Sequence, residues 1–324
     1  MKTQSEYLAL INEAIAAIPY PQEPSQLYEP IAYTMALGGK RLRPVAVLMA
    51  CDALGGKVDE AMNPAVGLEL FHNFTLLHDD LMDQADVRRG KPTVCRRWDA
   101  NTAVLSGDTM LTMATQYIAR APRHCMPQVM ELFNHTAMEI YEGQQWDMDY
   151  ERLSNVSVDD YMKMIRLKTS VLIGCACKMG AIVAGAPQCD TDLIYEAGVN
   201  LGLAFQLQDD LLDVWGDPAT FGKETGCDIM NNKKTFLLIN ALRLAQGDDA
   251  HELRRWLADA YALRDQKVAA VTRLYERLHV RELAQEAIDR YSRLAEKDFS
   301  RVAMSPQGKE AFIALAKSLM KRQK

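Results

Sequence analysis

The residues best equipped for chemistry lie in two short acidic stretches, Asp79-Asp80-Leu81-Met82-Asp83 and Asp209-Asp210-Leu211-Leu212-Asp213. Each reads Asp-Asp-x-x-Asp inside an apolar segment of helical period. Residues four apart share a helix face, so Asp79 stands over Asp83 and Asp209 over Asp213, with Asp80 and Asp210 beside them. Crowded carboxylates on an apolar helix are unfavourable unless a cation shares the site. Oxygen donors alone suit Mg²⁺, which takes one or two carboxylates and fills its shell with water and phosphate. One copy is equally compatible with a solvated acidic turn. Two copies, each followed by basic residues, favour a paired device: two metal-binding helices facing each other across a pocket.

The cations sit where an anion would need them. Gly38-Gly39-Lys40-Arg41-Leu42-Arg43-Pro44 precedes an apolar run, so its glycines end one helix and Pro44 is placed to be the first residue of the next. Three cations before a helix start add their charge to free N–H groups and the helix dipole, although a solvated basic turn has the same composition. Asp86-Val87-Arg88-Arg89-Gly90-Lys91-Pro92 puts an arginine pair in a loop just beyond the first carboxylates. Guanidinium forks match phosphate oxygens, whereas an arginine pair alone can equally be surface charge. Glu142 to Asp147 offers amides and a carboxylate in a continuing helix. Arg166-Leu167-Lys168-Thr169-Ser170 opens a buried run, where a lysine ordinarily snorkels to the surface. Gly216-Asp217-Pro218 reads as a turn. The segment 222–228 and Asn231-Asn232-Lys233-Lys234-Thr235 then lead into another apolar helix.

The elements holding these residues are helical almost throughout. Leu8, Ile11, Ile15 and Ile18 form a first amphipathic stripe, closed by a Pro-rich connection within residues 1–26. Val171 to Ala186 is the most apolar stretch, shorter than the ~20 residues of a membrane span, and reads as a buried helix. No series of strand patterns, internal repeat or flexible linker is present. From about Ala241 the chain reads as packing helices, the last capped by Ser305-Pro306 and ending in Lys317, Lys321, Arg322 and Lys324. The expectation is an all-α fold, a single domain over 1–324 with its site between helices of a bundle. A hydrophobic content of 48%, 25% charged residues and a net charge of −6 give an ordinary globular protein without a nucleic-acid signature. Seven scattered cysteines without zinc spacing, and a start unlike a signal peptide, point to a reducing, cytoplasmic setting.

Taken together and in this order, the two acidic motifs, the Gly-Gly-Lys-Arg-Leu-Arg-Pro turn, Arg88-Arg89, Lys168-Thr169 and Lys233-Lys234-Thr235 resemble the trans-isoprenyl diphosphate synthases, of short-chain farnesyl or geranylgeranyl type. The resemblance runs from about Leu27 to about Arg301. It implies an isoprenoid-synthase helical bundle with a deep central apolar pocket. It also implies a homodimer that joins isopentenyl diphosphate to an allylic diphosphate with Mg²⁺, up to three ions with bound diphosphate. On this resemblance Asp79, Asp83 and Asp209 are the metal ligands, supported by Asp80, Asp210 and Asp213. Arg88, Lys168, Gln206, Lys223 and Lys233 surround the allylic diphosphate. Lys40, Arg43, His72 and Arg89 surround isopentenyl diphosphate, and Gly39, Arg41, Thr169 and Gln144 are neighbours. His72 alone would equally be a core residue.

Product length is read from the residues before Asp79. Phe74 lies ~7.5 Å upstream along the helix axis, with Thr75 nearer to the face of Asp79 and Phe71 about a turn deeper. Spacing does not choose among the three. The resemblance favours Phe74 as the floor of the pocket and farnesyl and geranylgeranyl diphosphates as products, leaning to the twenty-carbon one. Two other readings stand beside this one. A class I terpene cyclase needs a second motif of mixed Asn, Ser or Thr and Glu, and has no use for Lys40, Arg43 and Arg89. An inactive regulatory subunit would have lost ligands, and none that can be matched is missing.

Overall fold

The computed structural model describes residues 1–217 and 225–320. The chain is all-α as expected. Its elements are α1 (Gln4–Ala16), α2 (Ser25–Ala36), α3 (Leu42–Ala53), α4 (Val58–Met82), β1 (Val87–Arg88), β2 (Lys91–Pro92), α5 (Val94–Arg97), α6 (Ala100–Ile118), α7 (Met126–Arg152) and α8 (Val158–Ile165). A π-turn (Arg166–Ser170) leads into α9 (Val171–Val183) and α10 (Gln188–Trp215). After the undescribed residues come α11 (Cys227–Met230), α12 (Phe236–Leu244), α13 (Gly247–Ala258), α14 (Arg264–Arg277), α15 (Val280–Arg301) and α16 (Pro306–Met320). They fall into two compact units: Met1–His135 with Ile173–Tyr195 and Phe299–Phe312, and Thr136–Leu172 with Glu196–Asp298 and the residues from Ile313. No helix among the described residues is long and apolar enough to cross a membrane.

In the first unit, Thr3 and Glu6 form a capping box that starts α1. The buried stripe of α1 is Tyr7, Ile11 and Ile15, with Ile18 buried just beyond its end, so Tyr7 takes the place expected for half-buried Leu8. The Tyr7 hydroxyl donates to Asp52 of α3, which explains why the aromatic rather than the leucine turns inward. The next helix starts at Leu42, not at Pro44. Proline is accommodated at the third position because first-turn N–H groups lack helical partners anyway. α4 packs along α6 and α3, and its core side chain Phe71 meets Phe133 edge-on at 5.1 Å. The Arg88-Arg89 loop proves to be a small hairpin, pairing Val87 with Pro92 and Arg88 with Lys91. Its two turn residues, Arg89 (φ 53°) and Gly90 (φ 73°), are both left-handed, which suits the strand twist of a two-residue hairpin. α9 ends at Val183, short of Ala186, where Gly185 takes a left-handed φ of 74°. Ser305 caps α16 as expected, accepting from the Gly308 N–H at 3.1 Å.

In the second unit, a Ser157–Asp160 capping box starts α8 and the Thr235 hydroxyl starts α12. Tyr161, Leu207, Leu211, Leu237, Val271 and Leu274 are among its buried core residues. The π-turn at Arg166–Ser170 was not foreseen, since its composition does not differ from that of an α-helical turn.

Candidate active site

In the first unit the basic turn is shaped from below. Arg41 is held left-handed (φ 46°) and turned inward, donating to Glu69 Oε1 at 2.7 Å and to the Met35 carbonyl at 2.6 Å. Asn73, one turn on from Glu69, donates to the same carboxylate at 3.0 Å. Arg41 is therefore the buried strut of the turn, while Lys40 and Arg43 flank it. Glu69 and Asn73 escaped the sequence reading, although two polar residues four apart in the apolar stretch 65–74 are a legible signal. Gly39 has a φ of 133°, and a Cβ there would lie 2.9 Å from the Arg89 guanidinium. Arg89 itself donates to the Gly38 carbonyl.

Arg43 lies 3.1 Å from His72 Nε2. A guanidinium only donates, so this imidazole nitrogen accepts. Burial pushes the His72 pKa well below its usual value, helped by Arg43, Arg89, Arg88 and Arg41. Arg41 is paired with Glu69 and Arg88 with Asp80, so Arg43 beside the neutral imidazole and Arg89 nearby supply the positive charge that favours an anion here.

The first acidic motif closes α4. Arg88 Nε reaches both oxygens of buried Asp80 at 2.8 and 2.7 Å, and its terminal nitrogen lies 2.7 Å from the same carboxylate and 3.8 Å from Asp79. Asp79 is half-buried, and exposed Asp83 is the helix C-cap, its N–H donating to the Asp79 carbonyl at 2.8 Å. Upstream, Phe74 is buried with its ring 5.6 Å from Phe71 and 4.8 Å from His78. The Thr75 hydroxyl donates to the His72 carbonyl at 2.8 Å.

In the second unit, Lys168 Nζ is 2.6 Å and Lys233 Nζ 3.9 Å from the Asp147 carboxylate. Burial works to raise the Asp147 pKa, but Lys233 and Lys168 outweigh it and hold it below the ordinary value. A relay runs alongside: the Thr169 hydroxyl donates to Gln206 Oε1 at 3.1 Å, Gln206 Nε2 donates to Asp210 at 3.2 Å, and the Tyr161 hydroxyl donates to the other Asp210 oxygen. Burial raises Asp210 to about 7, with Asp228 adding, against the pull of Tyr161, Gln206 and Lys233. Asp213 is buried and accepts the Asp228 N–H at 3.1 Å. Half-buried Asp209 completes the motif. Nothing in the sequence marked Tyr161 as the partner of Asp210. Gln144 buries its amide nitrogen without a hydrogen-bond partner among the described residues. Lys223, Lys321, Arg322 and Lys324 lie outside the described residues.

The donor set fits a hard cation that brings its own oxygens. Among the described residues no three Asp, Glu, His or Cys side chains converge on one point, which a hydrated Mg²⁺ sharing phosphate oxygens does not require. Asp79 and Asp209 are half-buried and Asp83 is exposed, so each stays accessible to solvent.

Comparison with known proteins gives the family. Residues 24–278 match the Polyprenyl synthetase family. A geranylgeranyl diphosphate synthase of Methanosarcina mazei is 37% identical over 233 residues, covering 71% of this chain and 72% of its own. A geranylfarnesyl diphosphate synthase of Natronomonas pharaonis is 36% identical over 256 residues, 73% of this chain and 75% of its own. A crystal structure of a geranylgeranyl pyrophosphate synthase superposes with a TM-score of 0.95 at 43% identity over the whole of both chains. With its family match running through both acidic motifs and both basic clusters, the chain belongs to the polyprenyl synthetase family.

Proposed function

We propose that the protein is a short-chain trans-prenyltransferase that condenses isopentenyl diphosphate with an allylic diphosphate (dimethylallyl, geranyl or farnesyl) and releases diphosphate. The observation that carries this reading is neutral His72 with Arg43 3.1 Å from its Nε2 and Arg89 nearby, a second anion locus besides the lysine pair at Asp147. A reaction between two diphosphates needs two such loci; a cyclase needs one.

In this reading Lys40, Arg43, His72 and Arg89 hold isopentenyl diphosphate. Arg88, Lys168, Gln206, Lys223 and Lys233 hold the allylic diphosphate. Asp79, Asp83 and Asp209 would hold Mg²⁺, which when bound would supply positive charge to the departing diphosphate. Lys168 and Lys233 add positive charge at the same oxygens, while Thr169 and Gln206 present oxygen dipoles to the allylic cation. The apolar lining excludes water that would capture that cation. Once the allylic carbon–oxygen bond has broken, the isopentenyl double bond attacks the allylic cation, a carbon–carbon bond forms, and the proton leaves to the released diphosphate. No separate protein base is needed.

Phe74, with Phe71 and Thr75 nearby, forms the floor against which the chain stops, giving farnesyl and mainly geranylgeranyl diphosphate. The protein works as one polyprenyl synthetase domain, in the cytoplasm, as a homodimer. Exposed Val104 and Leu105 on α6 and Met138 and Tyr141 on α7 supply apolar surface for the dimer. The test is to incubate purified protein with Mg²⁺, isopentenyl diphosphate and each allylic primer, then size the products. Linear diphosphates up to twenty carbons are expected. A cyclic hydrocarbon, or no turnover, would overturn the reading, and a mainly twenty-five-carbon product would remove Phe74 from its role. Phe74→Ala should lengthen the products. An active variant with an unchanged product ladder would make Phe74 ordinary core.

A further inference from the structure

Glycine is a poor residue inside a helix, yet α7 carries Gly143 and α10 carries Gly202 in their interiors. Neither has a positive φ, so backbone conformation does not call for them. Space does. A Cβ on Gly143 would stand 2.3 Å from the Lys168 nitrogen and 2.7 Å from its Cα. A Cβ on Gly202 would stand 2.6 Å from the Ser170 Cα and 2.8 Å from its Cβ. Both glycines thus touch one five-residue segment, the π-turn Arg166–Ser170. Such a turn takes one extra residue in its hydrogen-bonded ring and is therefore wider than the helix on either side. Here the Val171 N–H reaches back to the Arg166 carbonyl, and the Ser170 hydroxyl donates to the Ile165 carbonyl at 3.3 Å.

The residues one turn further along each flanking helix complete the pattern. Four residues after Gly143, Asp147 takes the Lys168 ammonium at 2.6 Å. Four residues after Gly202, Gln206 takes the Thr169 hydroxyl at 3.1 Å. Residues four apart share a helix face, so each helix presents a glycine to the backbone of the turn and a polar group to one of its side chains. We infer that Gly143 and Gly202 form a slot that seats the π-turn, and that they are positioning residues for Lys168 and Thr169. Lose the slot and the turn stands off both helices, carrying Lys168 away from Asp147 and Thr169 away from Gln206.

This inference rests on the reading that Lys168 and Thr169 serve the allylic substrate, and its test separates the two. The variants are Gly143→Ala and Gly202→Ala. The control is Gly308→Ala in α16, where a Cβ would be equally crowded, 2.6 Å from the Ala53 Cβ, but far in sequence from the turn. Amide hydrogen exchange over 166–171 should quicken about tenfold or more in both slot variants and stay unchanged in the control. In steady-state kinetics both should lose about tenfold or more in kcat/KM for the allylic diphosphate, with the KM for isopentenyl diphosphate within about twofold. Ser170→Gly, which removes the Cβ and hydroxyl that Gly202→Ala would strike, should restore part of the loss. Slot variants that only melt earlier, with exchange and kinetics like those of Gly308→Ala, would overturn the slot. If instead Lys168→Ala leaves allylic kinetics unchanged while the exchange result holds, the slot stands and the role given to Lys168 falls.

Discussion

The same five-residue motif is wired in two different ways. In the first copy Asp80, the middle carboxylate, is gripped by the charged guanidinium of Arg88, delivered by a hairpin. In the second copy the equivalent Asp210 is held by neutral donors, the Tyr161 hydroxyl and the Gln206 amide. The last carboxylates differ as well. Asp83 caps the end of α4 and is exposed, whereas Asp213 lies within α10, buried, and takes the Asp228 N–H. The difference teaches that the supporting carboxylates are structural joints whose chemistry depends on which neighbouring segment reaches them. The helix that ends at its motif takes a cation from the loop that follows; the helix that runs on takes Gln206 from its own preceding turn and Tyr161 from α8.

The largest expected effect falls on the residues common to both copies. Asp79→Asn and Asp209→Asn keep shape and remove charge, and each should lower turnover about a hundredfold or more, about 3 kcal/mol of transition-state stabilisation. Melting temperatures should move by only a few degrees, because Asn keeps the size and shape of each half-buried side chain. Near-normal turnover in either variant at saturating Mg²⁺ would remove that residue from the metal site. Next come the two cation clusters. Arg43→Ala should weaken isopentenyl diphosphate by about 2–3 kcal/mol, and Lys168→Ala should weaken the allylic partner by a similar amount. Titrating one substrate at a time checks this, and the opposite pattern would mean that the loci are exchanged.

The joints themselves give the third contrast, in stability rather than rate. Asp80→Asn breaks the close ion pair and leaves half-buried Arg88 only the more distant Asp79 at 3.8 Å, which should cost about 2 kcal/mol. Asp210→Asn retains an acceptor for Tyr161 and should cost about 1 kcal/mol. Urea midpoints of the two variants measure the gap, and equal losses would erase the distinction between charged and neutral joints.

The same contrast divides the features legible in the sequence from those that were not. The all-helical fold, the α16 cap and the two Asp-Asp-x-x-Asp faces are local patterns, so periodicity and spacing revealed them. The basic residues were visible as types, but their division of labour was not: Arg41 looked like Lys40 and Arg43 until its guanidinium was seen turned onto Glu69. Tyr161 was invisible because its partner is 49 residues away in the chain. The π-turn was invisible because Gly143 and Gly202, which make room for it, lie on other helices. Packing between distant segments set each of these, and one sequence carries no trace of such pairing.

The smallest effect is one of pH, and it separates the two cation clusters. His72, with an ordinary pKa near 6.5, is held well below it in the fold. Below about pH 6.5 the unfolded chain therefore binds a proton at this position that the folded chain does not, and stability falls as pH falls through that window. One proton limits the slope to about 1.4 kcal/mol per pH unit. Asp147 is depressed below its ordinary 3.8 by Lys233 and Lys168, which outweigh the opposing effect of burial. Its contribution is complete above that value and is lost only in stronger acid. His72→Gln should thus flatten the stability profile between about pH 6.5 and 5 and leave the limb below pH 4 unchanged, while Asp147→Asn should do the reverse. Urea midpoints measured from pH 7 to 3 for the natural protein and both variants give the two difference curves. If the His72→Gln difference is flat through pH 6.5 to 5, the imidazole is not kept neutral by burial and its neighbouring arginines, and the first anion locus loses the feature that sets it apart from the second.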